Sequence, residues 1–308
     1  MEKNRLGRTN FHLSKIGIGT VQFGLDYGFT EKKTQDKVDE ILSYANEKGV
    51  NFIDTARSYG DSEEKIGKFL EQNKNQFIIA TKLELIKPEE VFNKDKLKSK
   101  IYRSIETSLK MLKQNHLDIL QLHQTENYLI NNKEFWRILT TLKESNEITS
   151  IGVSVYEEEE TANLIEKYGE HIDFFQIPYN VFDRRFENLQ NLFREHQMGT
   201  ISRSTFLKGV VTCKNNELPA ELEELKEYKT KLENTANELS VKVSELALNY
   251  ACNKEFITTT ILGIDTVQEL EENINAVKNE KLVNKLLVLD DLKVSNQKLI
   301  DPRKWTSL

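Results

Sequence analysis

Short apolar runs alternate along this chain with stretches of helical periodicity, and the alternation repeats eight times. The runs are residues 14–20 (SKIGIGT), 51–55 (NFIDT), 77–81 (FIIAT), 117–123 (LDILQLH), 150–154 (SIGVS), 174–178 (FFQIP), 200–203 (TISR) and 258–263 (TTTILG). Several are apolar at nearly every position, as strands covered on both faces of a parallel sheet must be. Between the first two, Val38, Ile41, Leu42 and Ala45 fall on one helical face, and Gly49 closes the pattern. Asp61 and Glu64 are spaced as an N-cap pair ahead of Ile66, Phe69 and Leu70. Leu97, Ile101, Ile105, Leu109 and Leu112 line another helix; Leu232, Ala236, Leu239, Val243, Leu246 and Ala247 line a late one. The acidic run at 157–160 reads as a helix N-terminus, where carboxylates face the positive end of the helix dipole.

This rhythm marks βα units, and eight of them predict a (β/α)8 TIM barrel of the α/β class, one domain over residues 1–308. The competing arrangement, a doubly wound sheet, opens on a Gly-rich turn. The chain has neither GxGxxG nor GxxxxGK[ST], so a dinucleotide would be held another way. Residues 281–308, partly apolar and ending in DPRKWTSL, are expected to form a C-terminal extension over or beside the barrel mouth.

Composition narrows the partners. A net charge of −6 disfavours a non-specific grip on nucleic acid. No apolar stretch approaches the ~18 residues of a membrane span, and MEKNRLGRTN has no apolar run of a signal peptide. Cys213 and Cys252 lie far apart in no metal-like spacing, which fits reduced thiols in the cytoplasm. His12, His116, His171 and His196 have no ligand-like neighbours, so no metal site is expected.

In a barrel of this kind the C-terminal strand ends face the active site. The second run ends at Asp54 with Tyr59 on the following loop, the third leads to Lys82, and the fourth ends at His123. Singly, these residues read as a cap, a packed aromatic, a surface charge and a core histidine. At three successive strand ends they form a catalytic candidate set.

The blocks GIGTVQFG, NFIDTARSYGDSEEKIGKFL, ATKLE, SIETSLKMLKQNHLDILQLH, SIGVS, FFQIPYNV and LGIDTVQELEENINAV resemble, in order from about Arg5 to Val277, those of the aldo-keto reductase family. The resemblance implies an NAD(P)H-dependent oxidoreductase acting on an aldehyde, ketone or sugar-like carbonyl, with Tyr59, Asp54, Lys82 and His123 catalytic and Tyr59 the proton donor. The physics fits those implied roles: a carbonyl oxygen that gains negative charge needs a proton donor beside it, and a free tyrosine is a poor acid at neutral pH unless a nearby ammonium favours the phenolate. Lys82 can play that part, Asp54 can hold Lys82 charged, and His123 can orient the substrate oxygen. The resemblance also implies that Ser154 and Gln176 bond the nicotinamide carboxamide, that Gly19 and Thr20 lie near the cofactor, and that Ser204, Thr205 and Leu207 cradle the pyrophosphate. Arg203 stands where many members place an aromatic that stacks on the nicotinamide; a guanidinium plane can stack there too. Gly263, Asp265, Thr266, Glu269 and Asn273 fall on the adenine end, where a helix N-terminus suits a phosphate. NADPH-using relatives tend to place Arg, Lys or other donors where this chain has Asp265 and Glu269, so the choice between NADPH and NADH leans to NADH.

Val21, Gln22, Phe23, Tyr27, Tyr128 and Trp305 are candidates for the substrate wall, each equally readable as packing. A catalytically weak cofactor-binding regulatory subunit of the same fold is the alternative reading. Substrate identity, direction and the choice between monomer and homo-oligomer stay open.

Overall fold

The computed structural model describes residues 1–26, 31–73, 76–214 and 217–306. Eight parallel strands close into a barrel: β3 (Ile16–Gly19), β4 (Phe52–Asp54), β5 (Ile78–Lys82), β6 (Leu117–Leu122), β7 (Ile148–Ser154), β8 (Phe174–Pro178), β9 (Gly199–Arg203) and β10 (Thr259–Gly263). Each coincides with one of the apolar runs, and β10 pairs with β3 to complete the ring. Ahead of them, β1 (Lys3–Arg5) and β2 (His12–Ser14) form an antiparallel hairpin. Strands of three residues are too short to display alternation, which is why no sequence pattern announced them.

The barrel interior follows the strands' period of two. Phe52, Ala80, Ile119, Phe174, Ile201 and Ile261 form one buried cluster with Leu6 and Leu13 of the hairpin region. The hairpin thereby plugs the end of the barrel from which the strands start. Gly152 of β7 leaves the room that Phe174 fills, since a Cβ there would lie 2.0 Å from the ring. Two residues further along the same faces stand Asp54, Lys82, Gln121, Gln176, Arg203 and Gly263. The apolar layer is thus a floor under a polar one.

Helices cover the outside. Val38, Ile41, Leu42 and Ala45 of helix Gln35–Glu47 are buried as the spacing predicts, and Gly49 follows at φ 77°. The acidic run starts helix Glu158–Tyr168. Two local readings need correction. Asp61 makes no side-chain cap bond to helix Ser62–Gln72, because Lys32 and Lys65 pair with it at 2.9 and 3.2 Å, while Glu64 pairs with Lys68. The late apolar pattern is two helices, Leu225–Glu238 and Val243–Cys252, separated where Ser240 takes a left-handed φ of 56°. The tail runs through a short helix (Glu280–Val283), 3-10 turns and a helix at Gln297–Ile300, then brings Pro302 and Arg303 to the barrel mouth. Cys213 and Cys252 are free thiols, the latter buried.

Candidate active site

The polar layer is tightly knit. Lys82 is 1% exposed and donates to Asp54 Oδ2 at 2.6 Å and to the Thr55 carbonyl at 3.0 Å. The other oxygen of Asp54 accepts from Gln121 Nε2 at 2.6 Å and Gln176 Nε2 at 2.8 Å. Gln176 also donates to Gln121 Oε1 at 3.0 Å, and Ser154 donates to Gln176 Oε1 at 3.4 Å. One carboxylate therefore organises three neighbouring side chains from β5, β6 and β8. A buried carboxylate needs such donors, because an unpaired one is far too costly to desolvate.

Burial works against the Lys82 ammonium, but Asp54 and Tyr59 outweigh it and hold Lys82 above the ordinary lysine pKa. The Tyr59 ring centroid lies 4.9 Å from that ammonium. Tyr59 is half-buried on the loop after β4, where a tight approach sets its backbone: a Cβ on Gly24 would lie 1.7 Å from the Tyr59 carbonyl oxygen. His123 follows β6 and opens onto the pocket. Desolvation by its surroundings, then the positive charge of Lys82, push its pKa down to about 4, with Arg203 adding to the effect and Asp54 opposing it. The ring is neutral at physiological pH.

These groups line a pocket of about 570 Å³ with Gly19, Thr20, Val21, Gln22, Ser154, Gln176, Arg203, Ser204, Thr205, Leu207, Gly263, Asp265 and Glu269. Lys82 itself is buried and out of the lining. A second hollow of about 590 Å³ shares Phe206, Thr212 and Glu269 with the first and reaches Asn273. Thr266 caps helix Val267–Val277, its hydroxyl accepting from the Glu269 N–H at 3.1 Å, and Glu269 accepts from the Asp265 N–H at 2.8 Å. Burial, opposed by that hydrogen bond, raises the Glu269 carboxyl above its ordinary range. Among the described residues, Asn273 Nδ2 and Thr205 Oγ1 are buried without a hydrogen-bond partner. Orphan groups of this kind call for a ligand, and the chain from Ser204 to Gly209 adds positive-φ backbone at Ser204, Leu207, Lys208 and Gly209. The residues present fit a dinucleotide laid from Ser154 and Gln176 to Asn273.

Three substrate-wall expectations are corrected. Phe23 is 0% exposed in the core. Tyr128 turns its hydroxyl to the Ile86 carbonyl at 2.9 Å and lies outside the pocket lining. Trp305 is buried, with Nε1 on the Lys298 carbonyl. Tyr27 lies outside the described residues. The guanidinium of Arg203 sits 4.0 Å from the centroid of Tyr156, and that of Arg303 lies 3.7 Å from the same centroid. Gln121, Tyr156, Arg303 and Lys33, which pairs with Asp265 at 2.9 Å, escaped sequence reasoning. Gln121 alone had a signal, since it stands two residues before His123 on the same strand face.

Among the described residues no group of three or more His, Cys, Asp or Glu side chains is placed to hold a metal, and no helix is long and apolar enough to cross a membrane.

Barrel, mouth pocket and family match agree: the aldo/keto reductase family model matches residues 15–287, and the chain belongs to that family, one of oxidoreductases. The uncharacterized oxidoreductase YqkF of Bacillus subtilis is 29% identical over 301 residues, covering 92% of this chain and 93% of its own. The NADH-specific methylglyoxal reductase of Escherichia coli is 29% identical over 229 residues, 69% of each chain. The holo form of aldo-keto reductase AKR11C1 from Bacillus halodurans shares the fold, with a TM-score of 0.76 at 24% identity over 97% of this chain and 99% of that one.

Proposed function

We propose that this protein reduces an aldehyde, ketone or sugar-like carbonyl to the alcohol, or catalyses the reverse, with Tyr59 as the proton donor. The observation that carries this reading is the phenol of Tyr59 beside the buried Lys82–Asp54 pair, with the neutral ring of His123 in the same pocket. When bound, NAD(P)H supplies hydride to the carbonyl carbon. Negative charge then grows on the carbonyl oxygen, and Tyr59 donates the proton that quenches it. Lys82 stabilises the phenolate left behind, and Asp54 keeps Lys82 charged and aimed. His123, neutral, donates a hydrogen bond to the same oxygen without competing as an acid. Ser154 and Gln176 orient the nicotinamide carboxamide, and Gln176 ties that contact to Asp54. We place the protein in the cytoplasm, where free thiols such as Cys213 and Cys252 stay reduced.

Tyr59→Phe is expected to abolish turnover while nicotinamide fluorescence still reports cofactor binding. Near-normal turnover in that variant removes Tyr59 from the role. A catalytically weak regulatory subunit would instead bind cofactor in the wild type with negligible rate across a screen of aldehydes and sugars.

Our reading of the cofactor leans to NADH. Asp265 and Glu269 both line the pocket; against the adenosine end of a cofactor they would repel a 2′-phosphate and could accept from a free ribose hydroxyl. Lys33 offsets part of the charge of Asp265, which moves weight onto Glu269. The name of the NADH-specific relative supports the same choice. Asp265→Arg should raise NADPH affinity severalfold relative to NADH in parallel titrations; an unchanged ratio counts against the assignment.

A further inference from the structure

Arg203 lines this pocket with no carboxylate paired to it among the described residues. Lys82 is paired with Asp54, and Lys33 with Asp265. Arg303 is neutralised by Asp301 at 2.6 Å and Glu157 at 2.7 Å. Among the described residues no carboxylate stands within ion-pair distance of Arg203. Asp183 senses its charge, but is held at two points by Arg185, at 2.9 and 2.8 Å. The contacts of Arg203 are the Val155 carbonyl at 3.0 Å, a long 3.4 Å approach to Ser204 Oγ, and the Tyr156 ring.

Its direction matters as much as its charge. Arg203 ends β9, yet its guanidinium lies over residues that follow β7. It has reached across the end of β8 towards β6, which carries His123. Asp265 and the helix that follows it, which carries Asn273, lie the other way round the barrel. The adenosine of a cofactor would lie on that far side and its pyrophosphate on the chain from Ser204 to Leu207, whereas the guanidinium of Arg203 has swung to the end of β7, towards the reacting end. The lowered pKa of His123, to which Arg203 contributes, agrees with this placement. The Tyr156 ring, with both guanidinium groups against it, fixes Arg203 before any ligand arrives, which reduces the ordering that binding requires.

We propose that Arg203, held on Tyr156, receives an anionic group of the substrate, so that the carbonyl compound turned over here carries a carboxylate or a phosphate. This rests on the reductase reading given above and names its substrate class. The two acceptors met by Arg203 leave further N–H donors of its guanidinium over, and a planar fork of this kind matches either anion.

The test compares kcat/KM for matched pairs with wild type, Arg203→Gln and Arg203→Lys: succinic semialdehyde against its methyl ester, and glyceraldehyde 3-phosphate against glyceraldehyde. Wild type is expected to prefer the charged member of at least one pair tenfold or more, and which pair shows it separates carboxylate from phosphate. Arg203→Gln should bring that ratio towards one, and Arg203→Lys should keep part of it. In parallel, calorimetric binding of succinate and of inorganic phosphate to the protein–NAD(P) complex needs no turnover, and one of them should bind in an Arg203-dependent way. Ratios near one in wild type, or a ratio that Arg203→Gln leaves unchanged while both members fall alike and the cofactor Kd rises, overturn the proposal and assign Arg203 to the cofactor. No turnover of any aldehyde, with anion binding still dependent on Arg203, defeats the reductase reading and leaves the anion site standing.

Discussion

Lys82 carries its charge where water barely reaches, and everything around it answers to that fact. Asp54 accepts from Lys82 on one oxygen and from Gln121 and Gln176 on the other. Removing any member strands a buried polar group, so these residues act as a unit more than as separate contributions. The state of His123 is a direct consequence. Desolvation by its surroundings and the ammonium of Lys82 both disfavour the imidazolium, and the pKa falls from the ordinary 6.5 to about 4. A depressed histidine pKa means that between about pH 4 and 6.5 the folded protein holds the ring neutral while an unfolded chain would protonate it, and above that window His123 is uncharged in both. In an NMR titration the His123 ring signals should stay flat between pH 6 and 8 and move only below about pH 5. A midpoint near the ordinary value would refute the neutral-donor role. Asp54, Lys82 and His123 were legible because strand ends can be read from apolar runs. Tyr156, Arg303 and Lys33 were not, because each reaches the pocket from a loop or tail whose path no periodicity encodes.

The strands and their turns do the positioning. Period two carries each inward face from floor to site: Phe52 to Asp54, Ala80 to Lys82, Ile119 through Gln121 to His123, Phe174 to Gln176, and Ile201 to Arg203. The register then staggers neighbours, so that Asp54 lies level with Ala80 while Lys82 lies level with Gln121. Lys82 therefore projects above the Asp54 level, between the carboxylate and Tyr59. The Tyr59 loop is set by the turn Val21–Gly24, whose last glycine abuts the Tyr59 backbone. Gly24→Ala must displace one of the two segments, and misplacement on the scale of 1 Å can lower a rate about 100-fold. We expect kcat to fall on the order of 10- to 100-fold with the NAD(P)H Kd within a few-fold of wild type. A wild-type kcat would separate Gly24 from the placement of Tyr59.

At the scale of the molecule, one end of the barrel is sealed and the other is open. Leu6 and Leu13 join the interior cluster from the hairpin region, so the first segment of the chain closes the floor on which the site stands. Leu13 is 0% exposed, and Leu13→Ala should lower the unfolding free energy by about 2–5 kcal/mol in urea denaturation, the usual range for a buried leucine that leaves a cavity. A loss under about 1 kcal/mol would mean that the hairpin is not part of the floor. At the open end the tail is tied down by Arg184 on the Leu289 and Asp290 carbonyls and by Arg303 on Glu157. That anchoring makes Pro302 and Arg303 part of the pocket rim.

The sequence by itself determined the number and order of the βα units, the strand ends, and hence Asp54, Tyr59, Lys82 and His123 as one set. Those follow from local rules, in which apolar periodicity selects strand or helix and barrel geometry sends strand ends to one mouth. The tertiary structure decided the rest. It turned Phe23, Tyr128 and Trp305 away from the pocket into packing, placed Lys33 against Asp265, and stacked Arg203 on Tyr156. Contacts between segments as distant as residues 33 and 265, or 156 and 303, depend on how loops and tail fold over a closed ring. Their energies come from pairing and burial that exist only once the barrel has formed, so no window of the chain could carry them.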